Sequence, residues 1–319
     1  MHIPDGFLDT KTIVATTTLS VVGITAAWRQ TKNHIQPQRI PLLGVAAAFV
    51  FAAQMLNFPV AGGTSGHLMG AVLSTVLLGP GAAIIVMSCV LVVQCFLFAD
   101  GGVLALGANI FNMAILGSIV GDVLYRSIHR MIGGERGRIV AVAVASWCSV
   151  VLASICCAGE LAWSGTVSWQ AAFPAMGGIH AVIGIGEAVF TCLIIVAIKK
   201  ARPELLTQRS GDVQSRSYST VVAYGVVIAI GLVLFVSPFA SEWPDGLEMV
   251  AAKLGFDAKV IQHPVAKGLI PDYQFPGISS MTLPMIVGGV VGVGMVFFFV
   301  YTLSRMFRTK HEIPIKPIE

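Results

Sequence analysis

Charge is scarce in this chain. Asp, Glu, Lys and Arg make up 11% of its 319 residues, against about 25% in a soluble globular domain, and 55% of the residues are hydrophobic. That deficit excludes a water-soluble domain, and the slight net charge of +4 gives no basic surface for nucleic acid. Cysteine is sparse too. Cys89, Cys95, Cys148, Cys156, Cys157 and Cys192 all fall inside apolar runs, where they read as small buried hydrophobes and not as disulfide partners. The adjacent Cys156 and Cys157 lack the spacing of a zinc site. No Gly-Lys pair occurs, so the chain has no phosphate-cradling Gly-x-x-x-x-Gly-Lys-Ser/Thr loop. The first residues lack the charged region and small-residue cleavage site of a secretion signal, so Met1 is expected to be retained.

What is present is a series of apolar runs, at approximately 12–28, 40–57, 68–78, 81–98, 103–125, 139–163, 172–198, 219–237 and 283–304. They are far longer than the roughly 10 residues of a barrel strand, which predicts an all-α integral membrane protein. The third and fourth runs, divided only by Gly79-Pro80-Gly81, read as a helical hairpin. Counted from an outside N-terminus, the inside segments hold 16 Lys and Arg and the outside segments 4 (Lys11, Lys253, Lys259 and Lys267). Merging the third and fourth runs would destroy that asymmetry. The positive-inside rule therefore predicts an extracytoplasmic N-terminus and a cytoplasmic C-terminus. The polar stretch 201–217 reads as a cytoplasmic linker. It separates a seven-span unit, residues 1–200, from a two-span unit, residues 218–319, whose spans bracket an outside loop at 238–282. In that loop Trp243-Pro244-Asp245-Gly246-Leu247-Glu248 is a turn whose Asp can cap the helix that follows.

The opening residues, Met1-His2-Ile3-Pro4-Asp5-Gly6, carry the chemistry. A free α-amine, the His2 peptide nitrogen and the His2 ring can form two fused chelate rings around one divalent cation, leaving one corner of the plane vacant. Nitrogens in a plane suit Ni(II) or Cu(II), and Co(II) less strictly. The ligands must lose protons, so affinity falls with acid. The remaining donor must sit near the outer end of a span. His67, after the glycine-rich Gly62-Gly63-Thr64-Ser65-Gly66, does so; His34 and His129 fall on the cytoplasmic side, and His180 is the rival donor. Asp5, Thr64, Ser65, and His180 with Glu187 are candidates for the hydrogen-bonding shell around the site, while an interhelical structural role for His180 and Glu187 stands equally open. Asn109 and Asn112 share a helix face and read as hydrogen-bond glue between helices. The small-residue stripes Gly44/Ala48/Ala52, Gly117/Gly121 and Gly288/Gly292 mark close helix contacts, internal or with a partner.

As a set, Met1-His2-Ile3-Pro4-Asp5-Gly6, Gly63-Thr64-Ser65-Gly66-His67-Leu68, Phe98-Ala99-Asp100-Gly101-Gly102 with Gly107-Ala108-Asn109, and the run His180 to Ala188 resemble the CbiM/NikM family. These are the substrate-binding components of cobalt and nickel energy-coupling-factor (ECF) transporters. The part with Pro244-Asp245-Gly246-Leu247-Glu248 resembles their small auxiliary N component, here fused. The resemblance implies Ni2+ or Co2+ as transported substrate, held in a near-square plane by the Met1 amine, the His2 amide and ring nitrogens, and the His67 ring. It also implies assembly with a transmembrane coupling subunit and two ABC-type ATPases in the bacterial inner membrane. Gly44/Ala48/Ala52 resembles the helix surface offered to the coupling subunit, and the fused unit resembles a partner that helps open the metal-covering loops.

The residues also leave other classes open. One is an intramembrane metalloenzyme holding a catalytic ion on His67, His180 and Glu187, with the N-terminal amine dispensable. Another is a metal-gated channel or secondary carrier. The planar nitrogen set leans toward nickel over cobalt without deciding between them.

Overall fold

The structure, a computed structural model, describes residues 1–32, 39–206, 218–261, 267–278, 280 and 282–306. His34 and most of the expected linker, from residue 207 to 217, lie outside the described residues. Helix α1 (Thr10–Thr31) opens the chain, capped by Asp9, whose carboxylate accepts from the Thr12 N–H at 3.0 Å. It is followed by α2 (Ile40–Gln54), a hairpin of β1 (Phe58–Val60) and β2 (Thr64–Gly66), α3 (Ala71–Leu78) and α4 (Pro80–Phe98). Helix α5 (Leu106–Asn109) continues through a π-helical segment, Ile110–Leu116, into α6 (Gly117–Ile132). Then come α7 (Gly134–Trp163), α8 (Trp169–Ala201), α9 (Tyr218–Phe235), the short α10 (Gly246–Leu254) and α11 (Leu283–Met306).

Every apolar run therefore lies on a helix, and the chain is an all-α multi-pass membrane protein. Among the described residues six helical segments are long and apolar enough to cross a bilayer. Helices α2 and α3 are shorter, at 15 and 8 residues. The expected break between α3 and α4 falls at Gly79, whose φ of 84° stops α3 before Pro80 starts α4. The antiparallel β1–β2 hairpin, with Pro59 opposite Ser65, was not among the expectations.

Helix α1 shows which solvent the bundle faces. Its buried residues are Thr12, Thr16, Ser20, Ala27 and Thr31, while Val14, Leu19, Val21 and Val22 point outward. In water this would be inside out. In lipid, small and hydroxyl side chains pack between helices and aliphatic ones face the tails. Ser20 donates to the Gly107 carbonyl at 2.6 Å, and a Cβ on Gly107 would stand 2.4 Å from the Thr17 hydroxyl.

The small-residue stripes are internal contacts. Gly117 and Gly121 meet α3 at Ala71 and Val72, and Gly292 meets Phe51 and Phe98. Gly44 lies against Phe297 of α11, and Ala48 and Ala52 are fully buried. In this fused chain the face expected to meet a coupling subunit is thus packed inside the chain, with Gly44 under the C-terminal unit. The reason is steric: the small side chains of α2 let α9 and α11 approach closely.

Helix α7, 30 residues and about 45 Å long, gives the bundle two distinct ends. At one end Glu135 pairs with Arg138 and Lys199. At the other, beyond Trp163, Thr166 donates to the Phe7 carbonyl, which brings the N-terminal segment to the mouth of the bundle.

Candidate metal centre

The N-terminal segment is held as an added strand would be. Asn109, at the start of the π segment, accepts from the Ile3 N–H at 2.8 Å and donates to the Ile3 carbonyl at 3.1 Å, and the Gly102 N–H donates to the same carbonyl at 2.9 Å. Asn109 was expected to join helices, and instead it reads the backbone of Ile3. Asn112 does join helices, donating to Glu160 at 2.7 Å. Asp5 accepts from the N–H groups of Val103, Leu104 and Ala105. It therefore anchors the segment, and among the described residues its carboxylate bonds these backbone groups and neither His2 nor His67. A Cβ on Gly102 would stand 2.1 Å from Asp5 Oδ1, so glycine is required there for the segment to seat.

This anchoring buries Met1, Ile3, Asp5, Phe7 and Leu8. It leaves the Met1 nitrogen 3.0 Å from His67 Nε2 and 2.6 Å from Asp245 Oδ2. The His67 Nδ1 lies 3.3 Å from the Leu68 carbonyl, so the tautomer that donates there turns the Nε2 lone pair toward the amine. The rings of His2 and His67 have centroids 5.3 Å apart. His2 Nδ1 is 3.6 Å from Asp100 Oδ1, and His2 Nε2 is buried with no hydrogen-bond partner among the described residues. A cavity of about 20 Å3, room for roughly one water-sized body, adjoins Met1, His67, His180, Asp245, Met69 and Met113.

The electrostatics favour neutral rings. Burial pushes both His2 and His67 down from 6.5 to about 3, and the adjacent N-terminal ammonium acts in the same direction. Burial alone would raise the Asp245 carboxyl, but the ammonium it pairs with outweighs this and holds it below the usual carboxylate range. Asp100 is raised by burial.

The remaining expected residues support the site from a distance. Glu187 accepts from the Met69 and Gly70 N–H groups at 2.6 and 3.0 Å, fixing the turn that follows His67. His180 Nδ1 lies 2.9 Å from the Met176 carbonyl of its own helix, and the ring abuts Gly246. Thr64 and Ser65 bond the C-terminal unit: Ser65 donates through its N–H to the Pro244 carbonyl and through Oγ to the Trp243 carbonyl, and Thr64 Oγ1 donates to Pro244.

Two contributors went unread. Asp245 caps α10 as expected, in a capping box with Glu248, yet it also pairs with the Met1 amine 244 positions away. Tyr273 donates to Asp100, the carboxylate facing His2. At Asp245 the sequence signalled a helix cap and a likeness to the N component, neither of which points to the amine; no signal marked Tyr273.

Two family profiles match this chain: the cobalt uptake substrate-specific transmembrane region over residues 2–205 and the PDGLE domain over 219–309. The NikMN protein of Archaeoglobus fulgidus is 35% identical over 97% of this chain and 100% of its own length. The fused nickel transport protein NikMN of Rhodobacter capsulatus is 30% identical over 87% of this chain and 84% of its own. A crystal structure of a truncated transition metal transporter, 32% identical, superposes with a TM-score of 0.58 over 63% of this chain and 99% of that one. With its burial pattern and site geometry joined to these matches, the chain belongs to the CbiM family of cobalt-uptake substrate-specific transmembrane proteins and carries a PDGLE domain at its C-terminal end.

Proposed function

We propose that this chain is the substrate-specificity subunit of an energy-coupling-factor transporter that binds Ni2+ or Co2+ for import across the inner membrane. The cation would be held by the Met1 amine, the His2 peptide and ring nitrogens, and His67 Nε2. One observation carries this reading: the 3.0 Å separation of the Met1 nitrogen from His67 Nε2. Two nitrogens at right angles about one cation, each about 2.0–2.1 Å from it, stand roughly 2.8–3.0 Å apart. The amine and His67 already have that spacing, bridged here by a hydrogen bond. The two relatives carry the name of nickel transport proteins, so the chain acts as a carrier of cargo and not as an enzyme. Its partners in this reading are a transmembrane coupling subunit and two ATPases, and its N-terminus faces the outside, in keeping with the charge asymmetry along the chain.

The metalloenzyme alternative needs Glu187 as a ligand, but both of its oxygens accept from backbone N–H groups. Glu187→Gln separates the two readings. Hydrogen bonds to a charged group contribute about 1.5–3 kcal/mol, so the variant should melt at a lower temperature. Metal affinity should fall only about 10-fold, the low end of the loss when a group supporting a ligand is removed. His67→Ala should lose roughly 70- to 900-fold, because roughly 10–16 kcal/mol of metal binding shared over four ligands is about 2.5–4 kcal/mol each. Equal losses in the two variants, measured by titration calorimetry in detergent, would favour the metalloenzyme.

Proton release supplies a further check. The rings of His2 and His67 are held near 3 by burial, so between pH 6 and 8 they bind metal without giving up protons. Calorimetry in buffers of different ionisation enthalpy should therefore count protons from the amine and the His2 peptide nitrogen alone. In the metal-free protein the same rings bind fewer protons folded than unfolded from about pH 3 to 6.5. Their contribution to stability thus rises with pH across that window.

A further inference from the structure

We propose that Asp245, in the C-terminal PDGLE unit, is a positioning residue that holds the Met1 amine in the metal plane, so that the centre is completed across the fusion. This rests on the metal-binding reading above. Its carboxylate is divided between two duties. Oδ1 accepts from the Leu247 and Glu248 N–H groups at 2.8 and 2.9 Å, and Oδ2 meets the Met1 nitrogen at 2.6 Å. The Asp245 N–H donates to Glu248 Oε2 at 2.9 Å, so the carboxylate is locked by its own helix end and cannot swing away without uncapping it.

The same strand sets both partners of the amine. β2 binds the Trp243 and Pro244 carbonyls through Ser65 and Thr64, and the next residue along from β2 is His67. Asp245 and His67 are therefore fixed relative to one another before Met1 arrives. The C-terminal unit also reaches the other end of the chelate. Tyr273 donates to Asp100, whose second oxygen lies 3.6 Å from His2 Nδ1. Tyr273 and Asp272 have φ of 61° and 51°, a region non-glycine residues hold only when their surroundings impose it. Here the stacking of Tyr273 on Phe98, with centroids 4.8 Å apart, and the bond to Asp100 do so.

Charge gives this arrangement its direction. A divalent cation on one deprotonated peptide nitrogen and three neutral nitrogens leaves a single positive charge in a buried site, which needs an opposite charge nearby. When a cation replaces the hydrogen between the amine and His67 Nε2, the amine keeps N–H groups, and one can stay on Asp245 Oδ2. Carboxylates that orient a ligand in this way change metal affinity about 10- to 100-fold.

Asp245→Asn in the full-length chain tests the assignment. Asparagine caps helices as well as aspartate does, so α10 persists while the charge on the amine is lost. Ni2+ affinity by calorimetry should fall about 10- to 100-fold, and the absorption bands of bound Ni2+ should shift as the amine moves. In metal-free protein the Met1 amine should be acylated faster by an amine-reactive ester. Tyr273→Phe, which keeps every backbone contact, should weaken Ni2+ binding in the same direction and guards against a folding failure of the first variant. Unchanged or tighter binding in Asp245→Asn would overturn the assignment; tighter binding would mean that Asp245 competes with the metal for the amine. If the native protein bound no Ni2+, the functional reading would fall, and the acylation rate would still decide whether Asp245 holds the amine.

Discussion

Acetylating the Met1 amine should abolish high-affinity Ni2+ and Co2+ binding while leaving every side chain in place. The modification removes one nitrogen donor and its charge, and leaves a single N–H where the amine met both Asp245 Oδ2 and His67 Nε2. If four nitrogens share about 10–16 kcal/mol of binding, losing one costs about 2.5–4 kcal/mol, or roughly 70- to 900-fold in affinity. The true loss should lie at the upper end. The acetyl group adds bulk in a place where the adjoining cavity is only about 20 Å3, and it leaves Asp245 buried without the ammonium, which is costly for a charged group. Calorimetry on acetylated and unmodified protein in the same detergent makes the comparison. Undiminished affinity would remove the amine from the ligand set and return His67, His180 and Glu187 to consideration. A histidine-only site would also respond to His67→Ala as strongly as before, so the two modifications together identify which donors the cation uses.

What could be read in advance was what local chemistry specifies. The helices follow from unbroken apolar runs, the α3–α4 break from Gly79-Pro80, and the α10 cap from Pro-Asp-Gly before Leu247 and Glu248. The meeting of Met1 with His67 was legible because a buried, apolar-flanked N-terminus and a histidine at the same end of the bundle leave little choice. The second oxygen of Asp245 was not legible. A helix cap satisfies an aspartate locally, and nothing in the neighbouring residues says that its other oxygen meets a nitrogen 244 positions away. Asn109 was misread for a similar reason: an asparagine on an apolar helix face bonds whichever backbone comes near, and here that is Ile3. The stripe at Gly44 signalled a close contact without naming the partner, and fusion put Phe297 there. The β1–β2 hairpin is too short for a period-2 pattern, and its β2 strand is secured by the remote carbonyls of Trp243 and Pro244.

Reconstituted alone in sealed vesicles, this protein should not accumulate Ni2+ or Co2+ against a gradient, whatever ion gradient is imposed; with a coupling subunit and its ATPases it should. The sequence has no Gly-x-x-x-x-Gly-Lys-Ser/Thr loop to cradle the phosphates of a nucleotide. A secondary carrier would instead need the site to open alternately to either side, which such proteins achieve with broken helices at the membrane centre. Here the candidate site sits at one end of the bundle, capped by the β1–β2 hairpin and the Pro244–Asp245 turn. The irregular segment nearest to it, the π turn at Ile110–Leu116, is tied into the bundle by Asn112 and Glu160. The larger cavity, between α1, α4, α11 and the π segment, is lined by Ile24, Trp28, Ile85, Ile110, Phe299 and Leu303 among others, and shares no lining residue with the cavity at the site. In the proposed reading a cation held at Met1 and His67 is delivered by reorientation of the binding unit, with the work supplied by a partner. Radiolabelled nickel uptake into vesicles of purified protein, with and without the partner subunits, reads this out. Concentrative uptake by the chain alone would make it a carrier in its own right.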